Sequence, residues 1–209
     1  MTDRYQRNPY DPTQMQVIAN LVRLDEQNTI QRFPAGAQLT TKTLSMLGND
    51  ILLSGWVGLG QPHWAENHLI GVLLPGDKIG AVLRSQLCSA VALTPVHLAS
   101  EETDTDEMHE IQHLVRQCVR ACHFSALDRI EDFFLESYQR LETVGLASDW
   151  TFEFPLPQAT LGNILGLSTA HVNRAIKQLQ AEARIQIIGR SVTLLKHSSI
   201  ASAKHSCGT

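Results

Sequence analysis

Thr169, His171, Asn173, Arg174, Lys177 and Gln178 fall within ten residues of the stretch LGLSTAHVNRAIKQL (165–179), and that stretch holds no carboxylate. A set of donors and cations without an acid does not build a general acid–base pair. It suits contact with an anionic, acceptor-rich polymer. Val172, Ile176 and Leu179 recur three and four apart, which predicts an amphipathic helix with the donors on its other face and Asn173 between the two. Ser168 stands just before the periodic run, where a side-chain oxygen can cap free backbone N–H groups. Solvated helix faces usually mix both signs, as in Glu–Lys pairs four apart. This face does not.

The charge of the whole chain hides the same asymmetry. The 209 residues carry a formal charge of −4, but from Pro155 onward there are six Lys/Arg (Arg174, Lys177, Arg184, Arg190, Lys196 and Lys204) against one acid, Glu182. The remainder holds 11 basic and 20 acidic residues, so the two regions differ in sign and the basic one is matched to a polyanion. Hydrophobic residues at 43% and charged residues at 18% are ordinary for a globular chain and argue against wholesale disorder. The start, MTDRYQRNPYDP, has no apolar core of signal-peptide length and no run approaches 18 apolar residues, which implies a cytoplasmic protein without a membrane span. Cys88, Cys118, Cys122 and Cys207 lack CxxC spacing, so no disulfide framework is expected. No nucleophile–base or metal constellation converges, and no residue is designated catalytic.

The elements that must position the donor face can be read outward from it. QATLGNILG forms a short helix, LS a turn, TAHVNRAIKQLQAEA a longer helix, and RIQIIGRSVTLL two strands hinged on Gly189-Arg190. Helix, tight turn, helix and β-hairpin in that order make a winged helix-turn-helix. LASDWTFEFPLP upstream reads as an extended linker, because Pro155 and Pro157 resist helix. Before it, Leu127, Ile130, Phe133, Phe134 and Leu141 give one helix its apolar side, with Gly145 as its stop. Ile111, Leu114, Val115, Cys118, Val119 and Cys122 give another. From Phe33 to about Ser100, short apolar runs alternate with Gly, Pro and Asn turns, the pattern of a compact β-domain. Residues 13–30 place Met15, Ile18, Leu21 and Val22 on one face of a short helix, and residues 1–12 and 196–209 read as loose ends.

FPLPQATLGNILGLSTAHVNRAIKQLQAEARIQIIGRSVTLL resembles the DNA-binding region of the Crp/Fnr superfamily of bacterial transcription regulators. Upstream, SALDRIEDFFLESYQRLETVGL resembles the helix that follows the dimerisation helix of that family, and LLSGW and LLPGDKIG resemble its β-roll. The resemblance implies an α+β chain with a cyclic-nucleotide-binding-like β-roll, a central dimerisation helix and a C-terminal winged helix-turn-helix. It divides into an N-terminal helix and roll (1–103), the dimerisation and following helices (104–147), the DNA-binding domain (148–195) and a tail (196–209). Arg174 matches the recognition-helix arginine, whose guanidinium can pair with guanine O6 and N7. His171, Asn173 and Thr169 match neighbouring groove-facing positions, Ser168 a cap and phosphate contact, and Gln158, Lys177 and Arg190 positions that hold phosphates. The pattern departs at Ala170, where the family often has an acid, and at Ala183, where a Gly usually ends the helix. The implied partners are double-stranded DNA, a second copy of the chain and RNA polymerase.

The resemblance names no cofactor. Members that bind cyclic AMP hold it with Gly-Glu and Arg-Ser/Thr; here Gly80-Ala81 stands in the first place and Arg84-Ser85 sits too early for the second. With no cysteine before Cys88, an N-terminal iron–sulfur cluster is excluded. Haem stays open, since His63, His68, His97, His109, His113 and His123 lie in the sensor half, with His109 and His113 four apart. No metal ligand is assigned. The dimer seam is expected along Ile111, Leu114, Val115, Cys118 and Cys122, with Gln112, Arg116, Gln117 and Arg120 on the opposite, polar side. The two cysteines read either as small side chains where two helices cross or as a thiol redox pair across that seam. A transcription regulator is the first reading; a haem- or small-molecule-binding sensor acting mainly through a protein partner is the second.

Overall fold

A computed structural model describes residues 30–40, 50–60, 69–79, 88–100 and 108–195. The helix expected over 13–29, the Gly80-Ala81 and Arg84-Ser85 pairs and the 196–209 tail lie outside the described residues. Ile30, taken above as the end of that helix, instead opens the first strand.

Among the described residues seven strands build the β-roll: β1 (Ile30–Phe33), β2 (Gln38–Leu39), β3 (Asp50–Ser54), β4 (Val57–Gly60), β5 (Leu69–Leu73), β6 (Ser89–Ala92) and β7 (Val96–Ser100). They form two antiparallel sheets, ordered β1-β7-β3 and β2-β6-β4-β5. Strand β3 is buried at every residue, because Leu52 faces the roll core while Ile51 and Leu53 meet Ala99 and the Val144–Leu146 segment. Covered on both faces, it reads as a continuous apolar run. The turn of LLPGDKIG is fixed by Gly76 at φ +96°, where a Cβ would lie 2.6 Å from Val144 Cγ1. Asp77 closes that turn by accepting from the Leu74 N–H at 2.5 Å.

Helix α1 (Met108–His123) and helix α2 (Ala126–Thr143) follow, separated by Phe124 and by Ser125, which caps α2 by accepting from the Asp128 N–H. The side of α1 that faces α2 is the polar one, opposite the expected seam; of the described seam residues only Leu114 departs from expectation. Arg120 is buried, bonded to Asp132 at 2.8 Å and to Glu136, with its guanidinium 5.6 Å from the Phe133 ring centroid. Arg116 reaches Asp132 at 2.7 Å and His113 lies 2.9 Å from Glu136. Leu114 is half-buried against the roll rather than outward, while Val115, Cys118, Val119 and Cys122 are exposed in the chain. The cysteines therefore do not fill a crossing between helices of one chain. The reason is α2, which turns two carboxylates, four residues apart, toward α1.

Two-thirds of the way along, the segment expected as an extended linker is a hairpin. Strands β8 (Ala147–Ser148) and β9 (Thr151–Glu153) are joined by Asp149 and Trp150, both left-handed at φ 49° and 59°. Consecutive positive φ angles mark the primed turn that matches strand twist, though Asn-Gly is its usual sequence. Here Trp150 stacks on Tyr138 at 5.0 Å and its carbonyl accepts from the Leu194 N–H, so tertiary contacts hold the turn. Helix α3 (Gln158–Leu165), helix α4 (Thr169–Ala181) and strands β10 (Ile185–Ile188) and β11 (Ser191–Leu194) complete the order read from sequence. The wing sheet runs β10-β11-β9-β8. One hydrophobic cluster joins Trp56, Val72 and Leu74 of the roll to Phe133, Phe134, Phe154, Leu161 and Val172, with Trp56 edge-on to Phe154 at 5.4 Å.

Candidate nucleic-acid interface

The turn between α3 and α4 is tight for a local reason. Gly166 ends α3 at φ 65°, and Gly162 lies so close to the Leu167 carbonyl that a Cβ would sit 2.5 Å from it. Ser168 then starts α4, its Oγ accepting from the His171 N–H at 3.3 Å. Val172, Ala175, Ile176 and Leu179 are buried, which fixes the opposite face outward.

On that outward face Thr169, His171, Arg174, Lys177 and Gln178 are exposed, and no acid lies in the first turn. His171 Nδ1 is 2.9 Å from Ser168 Oγ, which leaves Nε2 outside that hydrogen bond. Among the described residues Arg174 bonds its own helix, Nε to the Ala170 carbonyl at 3.4 Å, and no acid pairs with its guanidinium. Asn173 is half-buried and donates to Gln158 Oε1 at 3.2 Å, tying the start of α3 to the middle of α4. Arg190 stands on the two-residue wing turn after Gly189 (φ 62°), exposed and 4.0 Å from Glu153. The structure thus brings Gln158, Ser168, Thr169, His171, Asn173, Arg174 and Lys177 onto α3, α4 and the turn between them, with Arg190 on the hairpin beyond. A positive surface with free donors at a helix N-terminal half can meet phosphates and base edges, because both present acceptors.

Arg184 does not belong with these cations. It donates to Glu131 of α2 at 2.9 Å, and lies 3.3 Å from Glu182 and 3.6 Å from Asp128. The bonds from Glu131 push its pKa up, against burial. It fastens the C-terminal end of α4 to α2. Ala183 just before it is left-handed at φ 52°, and the Arg184 N–H still reaches the Leu179 carbonyl at 2.9 Å. The Gly usually found there is replaced without loss of the closing bond.

Sequence reasoning missed the contacts that hold this unit. Gln117 of α1 donates to the Ile164 carbonyl, and Arg129 of α2 donates to the Leu165 carbonyl at 3.3 Å and the Ala121 carbonyl at 2.7 Å. Arg140 of α2 pairs with Asp77 of the PGD turn. The signal was available, since Arg116 and Arg120 are spaced like Asp132 and Glu136. Burial by itself would raise the Glu136 pKa, but His113, Arg120 and Arg140 outweigh it and bring the carboxyl down to about 2. His97 is buried against Ser54 Oγ at 2.7 Å, its pKa lowered by burial and then by Arg32. Among the described residues no three His, Cys, Asp or Glu side chains gather as a metal-ligand set. No described helix is long and apolar enough to cross a membrane.

Solved structures share this architecture. FixK2 from Bradyrhizobium japonicum has a TM-score of 0.66 at 18% identity, covering 84% of this chain and 96% of that one. A CRP/FNR-family transcriptional regulator from Thermus thermophilus has 0.54 at 19%, covering 86% and 100%. A CooA mutant from Carboxydothermus hydrogenoformans has 0.57 at 15%, covering 89% and 94%. A comparison with curated proteins gave no match. Residues 128–201 match the Crp-like helix-turn-helix domain. That match covers the C-terminal part of the chain, and the solved structures extend the likeness, in fold, over most of it. Its Crp-like domain begins inside α2, so the acidic face that meets α1 and the aromatic face that meets the helix-turn-helix come from one family element. A helix-turn-helix of this kind, with its donor face outward, is the part of the fold that can meet DNA.

Proposed function

We propose that the protein binds a palindromic operator as a homodimer, with α4 in the major groove and transcription altered through RNA polymerase. The observation that carries this reading is the acid-free outward face of α4, where Arg174 and Lys177 stand exposed over a buried Val172–Leu179 stripe. Arg174 reads guanine, with His171, Asn173 and Thr169 beside it, while Gln158, Ser168, Lys177 and Arg190 hold phosphates. The dimer forms along the exposed side of α1. Val115 and Val119 are 56% and 46% exposed there, more apolar surface than a solvated helix needs. A two-fold axis along α1 sets the two reading helices about 34–36 Å apart, one turn of DNA. No catalytic step is proposed.

The test is duplex binding by the full chain at several salt concentrations. Specific binding falls steeply as salt rises, and Lys177→Ala reduces the log–log slope by about one unit while weakening all sequences alike. A salt-independent affinity, or preference for a single half-site over a palindrome, overturns the reading. Val119→Glu buries a charge against its symmetry mate, so sedimentation finds a monomer that has lost palindrome selectivity. Leu114 is unsuited to this role, because it also packs against the roll.

A further inference from the structure

The exposed side of α1 carries two thiols, Cys118 and Cys122, that no element among the described residues covers. They are four residues apart, so one lies above the other on the helix surface. Met108, Ile111, Val115, Cys118 and Cys122 recur at alternating three and four, the spacing that draws residues into one seam between two helices. Within one helix the pair cannot form a disulfide. Side chains four apart have Cβ atoms about 5–6 Å from each other, whereas a disulfide needs about 3.5–4.5 Å. A tetrahedral cation is less demanding. Metal–sulfur bonds of about 2.3 Å place two sulfurs about 3.8 Å apart, within reach of two thiolates turning about their Cα–Cβ bonds.

One chain supplies two of the four ligands such a cation takes, and the described residues hold no further group that could complete the set. A two-fold seam doubles the pair. From Ile111 to the end of α1 there is no acid, and the outward neighbours Val115 and Val119 are apolar. Thiolate is therefore the anionic ligand this face offers, which selects thiophilic cations over magnesium or calcium.

We propose that Cys118 and Cys122 of two copies form a tetrathiolate site for a thiophilic divalent cation of the zinc class. The site rests on the dimer reading above, and neither copy completes it alone. Binding releases the thiol protons to solvent and moves no electrons. The cation joins the two helices one turn before Phe124 and Ser125, where each chain bends into α2 and toward the helix-turn-helix. Its occupancy therefore stiffens the seam at the end nearest the DNA-binding unit.

The experiment uses the full chain, stripped of metal and kept reduced without added thiols, with Co2+ as the probe because zinc is d10 and gives no colour. Sedimentation of the metal-free protein comes first. A dimer that then develops thiolate-to-cobalt absorption, saturating at one Co2+ per two chains and displaced by Zn2+, is the expected result. Cys118→Ser and Cys122→Ser each lose that absorption while remaining dimers. A dimer that takes up no Co2+, or one Co2+ per chain, overturns the site and leaves the dimer reading intact. So does a dimer that takes up no Co2+ but cross-links through Cys118 on oxidation. A monomer before any metal is added overturns the dimer reading, and the site with it.

Discussion

Helices α1 and α4 are both amphipathic, and they are turned opposite ways. Helix α4 buries Val172, Ala175, Ile176 and Leu179 and offers Arg174 and Lys177 to solvent. Helix α1 buries the Arg120 guanidinium and offers Val115 and Val119. Amphipathicity states that two faces differ; the neighbour decides which is inside. The neighbour of both is α2, with Asp132 and Glu136 toward α1 and Ile130, Phe133 and Phe134 in the cluster shared with the helix-turn-helix. Charge is satisfied inside on one side of α2 and left free outside on the other. The free charge is suited to phosphate, and the free apolar face to another copy of itself.

The contrast breaks most forcefully at Arg120. Replacing it with Met leaves Asp132 to Arg116 alone and Glu136 to His113 and Arg140, and should cost about 3 kcal/mol in urea unfolding, the lower end for a broken buried pair. A loss below about 1 kcal/mol would mean that apolar contact, rather than charge, holds α1 to α2. Acid sharpens the same point. The folded Glu136 carboxyl titrates at about 2 rather than its ordinary 4.5, so between those values the unfolded chain binds the extra proton. The stabilisation from Glu136 is present above pH 4.5 and is lost as pH falls toward 2. The urea midpoint of the wild type should fall through that window, and Glu136→Gln should remove this part of the slope.

At α4 the expected effect moves from folding to binding. Arg174→Ala leaves the unfolding midpoint unchanged and weakens the specific duplex by about 1–3 kcal/mol, relaxing preference at one base pair in each half-site. Sequence selection with an unaltered preference would place the reading elsewhere on the helix. The smallest effect lies where α4 ends. Ala183→Gly relieves a left-handed alanine and should raise stability by about 1 kcal/mol, with DNA affinity unchanged; thermal denaturation measures it.

The order of α2, α3, α4 and the β10–β11 hairpin was legible because their boundaries carry local signals: Ser125, Gly145, Pro157, Gly166, Ser168 and Gly189. The donor face was legible because α4 has a clean apolar stripe to set against it. The β8–β9 hairpin was hidden, since Asp149-Trp150 is not a turn sequence and the stack on Tyr138 and the bond to Leu194 that support it are tertiary. What the polar side of α1 packs against was hidden for a similar reason. Its polar residues look solvated until the carboxylates of α2 are placed opposite them. Arg184 counted as a surface cation in the sequence, and only the fold reveals Glu131 beside it.

The two carbonyls at the end of α3 are held from outside the helix-turn-helix, Ile164 by Gln117 and Leu165 by Arg129. A fragment cut at the start of the wing sheet loses both donors and lays bare the aromatic cluster around Phe154. The portable module of this protein is therefore larger than its helix-turn-helix and wing. Any chimera that exchanges reading heads between regulators must carry α1 and α2 along with the head, and recombination in nature faces the same seam.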